Sequence, residues 1–401
     1  VKPILLLDLD DTLIENDIDL FLPHYIRAFQ AEVKSLIDPV FFSSSLLEST
    51  QKMVENVKPD HTLKEIFEES FFSKIDVDKE TFQKIADRFY SQVFPTLEPL
   101  TKPRQEAIDL VKTAISKEYR LAVATNPLFP LTANLQRLSW AKLSTDEYPF
   151  ELISSYETFH FAKPNPDFFA EVMARLGWSN APVIVVGDDL ERDIKASHKL
   201  GIPTFWVNSD GSDDLYSKNI SSKSGRLEDL LPWVESLSDD SLKPDYTLRS
   251  AMIAILRATP AALDSFFRDI PAEQWLIRPD EGEWCLTEIV CHLRDVEIEV
   301  NLQRLTKALN EDTPFLSGEN TDTWAYDRQY IYQDGKAALQ DFIKARSKLL
   351  HVILEFSEAD WQRMVQHSIF GPTSIEELVR IISSHDRLHI NQVYQLINSG
   401  L

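Results

Sequence analysis

A doubly wound α/β domain carrying a helical insertion, followed by an all-α four-helix bundle, is the architecture that this 401-residue sequence predicts. Three observations carry the prediction. Short apolar runs alternate with helical patterns over residues 1–237, which is the rhythm of a parallel sheet. The polar residues that interrupt those runs all fall at their carboxyl ends, where open parallel sheets bind ligands. From about residue 246 the alternation stops, and four helical patterns of roughly twenty residues follow one another.

The first strand is Ile4–Leu7, an apolar run that stops at Asp8, Asp10 and Asp11, followed by Thr12. Three carboxylates at the tip of a buried strand repel one another and lose water, so a cation suits them; a solvated turn is the plainer reading of the same residues. From Asp17 to about Pro95 the pattern is helical, for example over 20–36 and 79–94. This block reads as a cap over Asp8. A helix over 102–119 then leads to a strand over 120–125 that ends at Thr125 and Asn126, and another helix follows to about Trp140. Residues 150–155 form a third strand, and 163–177 a helix stopped by Gly177. Residues 182–189 form a fourth strand ending in carboxylates, 191–201 its helix, 202–207 a fifth strand and 226–237 a closing helix. The polar, Ser-rich residues 209–224 read as a surface loop. The acidic stretch 238–245, with Pro244, marks a boundary near Lys243.

The totals restrict function. At 401 residues the chain is long for a single core, and 43% apolar residues suffice for two packed interiors. A net charge of −23 argues against nucleic acid or anionic membranes as partners. No apolar run reaches the roughly 20 residues of a membrane span, and no signal-peptide pattern is evident. The start at Val1 suggests that the numbering omits an initiating Met. Cys285 and Cys291 read as small core residues of a reduced, cytoplasmic protein. No glycine precedes Gly177, so a Gly-rich phosphate loop of the Walker type is absent from the first strand and turn.

The residues at the strand ends describe a chemistry. Asp8, Asp10 and Asp188, with Asp189 and Asp193, form a hard-oxygen set that suits magnesium. Thr12, Thr125, Asn126 and Lys163 supply a hydroxyl, an amide and an ammonium for phosphate oxygens. Together they suit phosphoryl transfer with an Asp nucleophile. DLDDTL at 8–13, ATN at 124–126, AKPNPDFF at 162–169 and VGDDLERD at 186–193 resemble, in order, the four motifs of the haloacid dehalogenase-like superfamily. The resemblance covers about residues 1–237 and implies a Rossmann-like core at 1–14 and 98–240 with a helical cap at 15–97. It also implies roles. Asp8 is the nucleophile, and Asp10 the acid and base at the leaving oxygen. Thr12 steadies the first loop or meets substrate. Thr125 and Asn126 bind the phosphoryl group, and Lys163 neutralises charge. Magnesium is held by Asp8, Asp10 (through its carbonyl oxygen) and Asp188, with Asp189 and Asp193 binding it or orienting Lys163. The spacing from Asp188 to Asp193 is one residue longer than in many members. An acid at Asp10 favours a phosphatase of a small phosphorylated metabolite over a mutase or a dehalogenase. His24, Arg27, Arg88 and Tyr90 of the cap are open to substrate contact or to plain surface and packing roles.

In the second half, helices are predicted over 246–268 (broken near Pro260), 287–309, 336–356 and 374–398, with starts at Thr287 and Ser374. Trp275, Trp284, Trp324 and Trp361 lie in the connections and suit the ends of the bundle. His385 and His389 are four residues apart on one helix face, and His292 lies on another helix. Three such imidazoles either chelate a divalent metal or sit as hydrogen-bonded histidines. Residues 256–267, 281–297 and 385–392 resemble the DinB/YfiT-like metalloenzyme bundles over about 246–401. That resemblance implies a second divalent metal, zinc or nickel, on His292, His385 and His389, and a thiol transferase or isomerase activity or a non-catalytic binding or homodimerisation role. Glu288, Asp295 and Asp386 read as solvated helix-face charges, with a place beside the histidines as the alternative.

Overall fold

The computed structural model describes residues 2–208, 220–280 and 282–400. Its chain separates into two compact units, residues 1–172 with 180–245, and residues 173–179 with 246–401.

The first unit is built on a six-stranded, wholly parallel sheet. Its strands are β1 (Ile4–Leu7), β2 (Arg120–Val123), β3 (Leu152–Ile153), β4 (Val183–Gly187), β5 (Thr204–Val207) and β6 (Ser222–Gly225). They lie in the order β3-β2-β1-β4-β5-β6, in which the direction of winding reverses between β1 and β4, and ligands bind at such a reversal. All four residues of β1 are fully buried, as a strand covered on both faces requires. β6 corrects the expected loop: residues 222–225 form an edge strand against β5, while 209–219 lie outside the described residues. It is unreadable from sequence because Ser222, Lys223 and Ser224 are polar; backbone hydrogen bonds to β5 hold it, and the Ser222 hydroxyl meets His198.

After β1, and ahead of the helix that leads into β2, stand four helices, α1 (Ile18–Val33), α2 (Pro39–Val54), α3 (Leu63–Phe72) and α4 (Lys79–Arg88). Each starts at a side-chain cap: Asp17, Asp38, Thr62 and Asp78 accept amide hydrogens of the first turn. Their apolar faces meet in an aromatic cluster in which Phe29 stacks on Phe89 at 4.2 Å. Helices α5 (Gln105–Ser116), α6 (Leu131–Trp140), α7 (Pro166–Arg175) and α8 (Leu230–Ser236) connect or follow the strands.

The second unit contains four long helical segments. They are α9 (Arg249–Phe267), α10 (Leu286–Asp295) continued through a π-helical turn (Val296–Asn301) into α11 (Leu302–Asn310), α12 (Gly335–Leu354) and α13 (Ile375–Asn398). Two sequence expectations are corrected here. α9 runs through Pro260 unbroken. Proline has no N–H to offer the Leu256 carbonyl, and the buried Arg346 guanidinium donates to that carbonyl instead, at 2.9 Å. α10 starts at a Cys285 cap rather than at Thr287, because the Glu288 carboxylate accepts the Cys285 N–H at 3.0 Å. At α13 Ser374 is the cap, paired with Glu377. Strands also reappear: β7 (Phe315–Leu316), β8 (Met364–His367) and β9 (Gly371–Ser374) form a small sheet in the order β9-β8-β7. Cys285 and Cys291 are buried and unpaired.

Glu288, Asp295 and Asp386 are buried, contrary to the solvated reading. Each has a cationic partner drawn from elsewhere in the unit or from its own helix. Arg278 meets Glu288, Arg294 and Arg328 meet Asp295, and Arg346 bridges Glu297 and Asp386. A buried charge persists only when paired in this way. Among the described residues, no helix is long and apolar enough to cross a membrane.

Candidate active site and candidate metal centre

The end of β1 hands the chain directly to Asp8, whose N–H is fixed by the Val186 carbonyl of β4 at 2.9 Å. Asp188 follows β4 in the same way, and Trp206 on β5 donates its indole N–H to the Asp188 carbonyl at 2.7 Å. The sheet order thus brings together two carboxylates that are far apart in sequence. Asp193 joins them, and oxygens of Asp8, Asp188 and Asp193 lie within 4.8 Å of one another.

Lys163 completes this cluster. Its ammonium, almost wholly buried, donates to Asp8 Oδ1 at 2.7 Å and to Asp193 Oδ1 at 2.5 Å. The segment leading to it is pinned by Glu171, which accepts the His160 N–H at 3.0 Å and meets His160 Nδ1 at 2.8 Å. Asn126 accepts the Lys163 N–H at 3.1 Å, so the second and third motifs are tied together. Burial opposes the charge on Lys163, but Asp193 and Asp8 outweigh it and hold its pKa above the ordinary range. Burial lifts the Asp8 carboxyl well above its usual range; Lys163 pulls the other way, and Asp193 and Asp188 add to the rise. Asp188 is pushed up to about 7, by burial first and then by Asp193 and Asp11. Lys163 pairs with two of these carboxylates and Asp188 stands beside them; hard oxygens clustered in this way are the donor set that magnesium takes.

The remaining motif residues take distinct places. Asp10 is bound on both oxygens by Arg137, at 2.9 and 2.7 Å, and on one by the Asn16 amide at 2.8 Å. Thr125 is buried, and its carbonyl accepts from Ser154 at 2.6 Å. Thr12 is fully buried, and its hydroxyl meets no hydrogen-bond partner among the described residues. Asp189 caps the π-helical turn Leu190–Lys195 by accepting the N–H of Glu191 and Arg192. A π turn holds one residue more than an α turn, so the longer Asp188-to-Asp193 spacing still returns Asp193 to the cluster. Gly187 makes room for it: a Cβ there would stand 2.2 Å from Asp193 Oδ2.

A cavity of about 400 Å³ opens beside this cluster, with Asp10, Asn126 and Lys163 on its wall. Of the four cap residues singled out in the sequence, Tyr90 lines it. His24 and Arg27 bond to carbonyls of their own helix, and Arg88 pairs with Glu32. Arg137 has no counterpart among the residues that sequence reasoning selects, since one arginine on an amphipathic helix carries no signal of its own.

In the second unit, α10 supplies His292, and α13 supplies His385 and His389. The three Nε2 atoms converge, with 3.1 Å from His385 to each of the other two. His389 Nδ1 lies 3.0 Å from Oε1 of the Gln392 side chain, which as an acceptor places the ring proton on Nδ1 and leaves a lone pair on Nε2. His385 Nε2 carries one proton or one lone pair, so it cannot satisfy both neighbours. A cation accepting all three lone pairs resolves the conflict, and the donor set is one that zinc or nickel takes. Burial lowers the pKa of His292 to about 2, with His389 and His385 adding, and that of His385 and His389 to about 4. The neutral, ligating form is therefore favoured. Trp284 lies parallel to His389 at 5.9 Å, so it faces the histidines as well as filling a connection.

Similarity to known proteins divides along the same lines. Residues 5–207 match the family model for haloacid dehalogenase-like hydrolases, and residues 255–393 match that of the DinB superfamily. An uncharacterized protein of Bacillus subtilis, YuaE, is 21% identical over 132 residues, which is 30% of this chain and 80% of that protein. A glyceraldehyde 3-phosphate phosphatase of Methanopyrus kandleri is 29% identical over 92 residues, 22% of this chain and 39% of that protein, so the chain spans well under half of its length. Among solved structures, a HAD phosphatase of Thermococcus onnurineus aligns at a TM-score of 0.37 and 18% identity, over 58% of this chain and 98% of its own. YfiT of Bacillus subtilis, a four-helix bundle of unusual topology, aligns at 0.35 and 18% identity, over 41% of this chain and 90% of its own.

Proposed function

The chain belongs to the haloacid dehalogenase-like hydrolases, and on that footing we propose that its first unit is a magnesium-dependent phosphatase of small phosphomonoesters. The observation that carries this reading is the Asp8–Lys163–Asp193 cluster, with Asp188 beside it, at the point where the sheet reverses.

Asp8 is the nucleophile. Its free oxygen attacks phosphorus, the bond from phosphorus to the ester oxygen breaks, and an aspartyl-phosphate forms. Asp10 gives a proton to the departing oxygen and takes one from the water that then attacks phosphorus, which restores Asp8 and releases phosphate. Its place on the cavity wall beside Lys163 supports that role. Lys163 holds Asp8 in line and offsets charge on the phosphoryl group. Thr125 and Asn126 complete the phosphoryl site, and Thr12 packs the first loop. Asp8, Asp188 and the Asp10 carbonyl would hold magnesium, with Asp193 keeping Lys163 in place; when bound, the metal supplies positive charge to the phosphoryl oxygens. Asp189 acts through the turn that carries Asp193.

Replacing Asp8 by Asn should lower phosphate release by on the order of a thousandfold or more without unfolding the protein. Phosphate release at the wild-type rate would refute the assignment.

For the second unit we infer a divalent transition metal, zinc or nickel, on His292, His385 and His389. The convergence of three Nε2 atoms supports it. A pocket of about 330 Å³ borders His389 and Trp284, which supports a reactive rather than a closed site.

A further inference from the structure

The cavity beside Asp10 carries information about the substrate that the motif residues do not. It extends from the strand ends into the cap, and its wall changes character along the way. Its charged residues, Asp10, Lys163 and Arg192, all follow strands of the sheet, and none belongs to the cap. Every wall residue contributed by the cap is uncharged, and aromatic and aliphatic side chains such as Leu22, Phe29, Phe67 and Phe82 dominate.

Each polar side chain of the cap wall already makes one hydrogen bond within the protein. The Tyr25 and Tyr90 hydroxyls pair with each other at 2.8 Å. Burial pushes the Tyr25 phenol up to about 12, so it stays neutral. Thr50 donates its hydroxyl to the Leu46 carbonyl at 2.9 Å, and the Gln51 amide donates to Glu55 at 3.0 Å. A polyol placed here would give up its water and recover few hydrogen bonds, and each hydroxyl left unpaired weakens binding. A second phosphate or a carboxylate would meet no cation within the cap part of the wall, and burying it unpaired costs more.

We propose that the substrate is an alkyl or aryl phosphomonoester whose ester group is uncharged and largely apolar, rather than a sugar phosphate, a bisphosphate or a phosphorylated acid. This rests on the phosphatase reading above. Lys163 and the strand-end loops take the phosphoryl group, and the cap takes the organic group. At about 400 Å³ the cavity is within the range of small-molecule sites.

The test uses the full-length protein with magnesium and a series of n-alkyl phosphates from ethyl to hexyl, which keeps the leaving oxygen chemically constant while its apolar area grows. Burial of each added methylene should raise kcat/KM about fourfold until the cavity is filled. Glycerol 1-phosphate and glucose 6-phosphate should fall below propyl and hexyl phosphate respectively. Calorimetric binding of ethyl and hexyl phosphate to the Asp8→Asn protein should follow the same order, independently of turnover. A flat or falling series with Asp8-dependent phosphate release would overturn the substrate class and leave the phosphatase intact. Absence of release from every ester, including 4-nitrophenyl phosphate, would overturn the phosphatase reading and the substrate class with it.

Discussion

Asp10 sits between Arg137 and Asn16, so the residue assigned to proton transfer is oriented by two side chains that no motif names. The rest of the cluster was legible because its members fall at strand ends, where a polar residue directly after an apolar run breaks the pattern that burial imposes. Arg137 was not, because its meaning depends on a contact across 127 residues. The same holds for Arg346, whose bonds to Leu256, Glu297 and Asp386 account for an unbroken helix at Pro260 and two buried carboxylates at once. A single histidine offers a quantitative test at this scale. His198 meets the hydroxyls of Thr204 and Ser222 at 2.8 and 2.9 Å, and burial lowers its pKa from 6.5 to about 4. The unfolded chain takes up a proton as pH falls through 6.5, whereas the folded chain does so only near 4. Stability should therefore fall as pH drops across that window. Urea midpoints from about pH 7 to about pH 5 should decline less in His198→Gln than in the wild type. Parallel declines would show that His198 is not the group responsible.

At the scale of elements, β4 and the turn after it act as one device. Gly187 lets Asp193 approach the strand, the π turn returns Asp193 to Lys163, and Asp189 caps that turn. Gly187→Ala should push Asp193 away from Lys163 and lower kcat by about a hundredfold while circular dichroism stays that of the wild type. Undiminished activity would mean that the Asp193 contact does not position Lys163. Strand and helix alternation in the first half was readable from hydrophobic periodicity alone. The edge strand β6 was not, because an edge held by backbone hydrogen bonds leaves no apolar signature. Nor was the cap cavity, since the aromatic residues that line it have the same spacing as those that simply pack.

For the whole molecule, we assign one metal chemistry to each unit, hard oxygens in the first and imidazoles in the second. Metal content of the purified protein should be one transition-metal ion per chain, lost in His385→Ala. Stripping that ion should lower the melting temperature, since an ion at a hundredfold excess over its Kd adds about 2.7 kcal/mol to the folded state. Protein that binds no transition metal would reduce the histidine cluster to packing. The broad plan of both units was legible because periodicity and motif order survive without knowledge of contacts; the partners of buried charges were not, because most of them lie far along the chain. In the proposed reaction Asp8 carries the phosphoryl group. A rapid acid quench of the wild-type protein during turnover of an alkyl phosphate, followed by peptide mapping, measures this. A phosphoryl group is expected on the peptide containing Asp8, and none on that peptide in Asp8→Asn. Steady phosphate release with no phosphorylated Asp8, and undiminished in Asp8→Asn, would rule out Asp8 as the nucleophile.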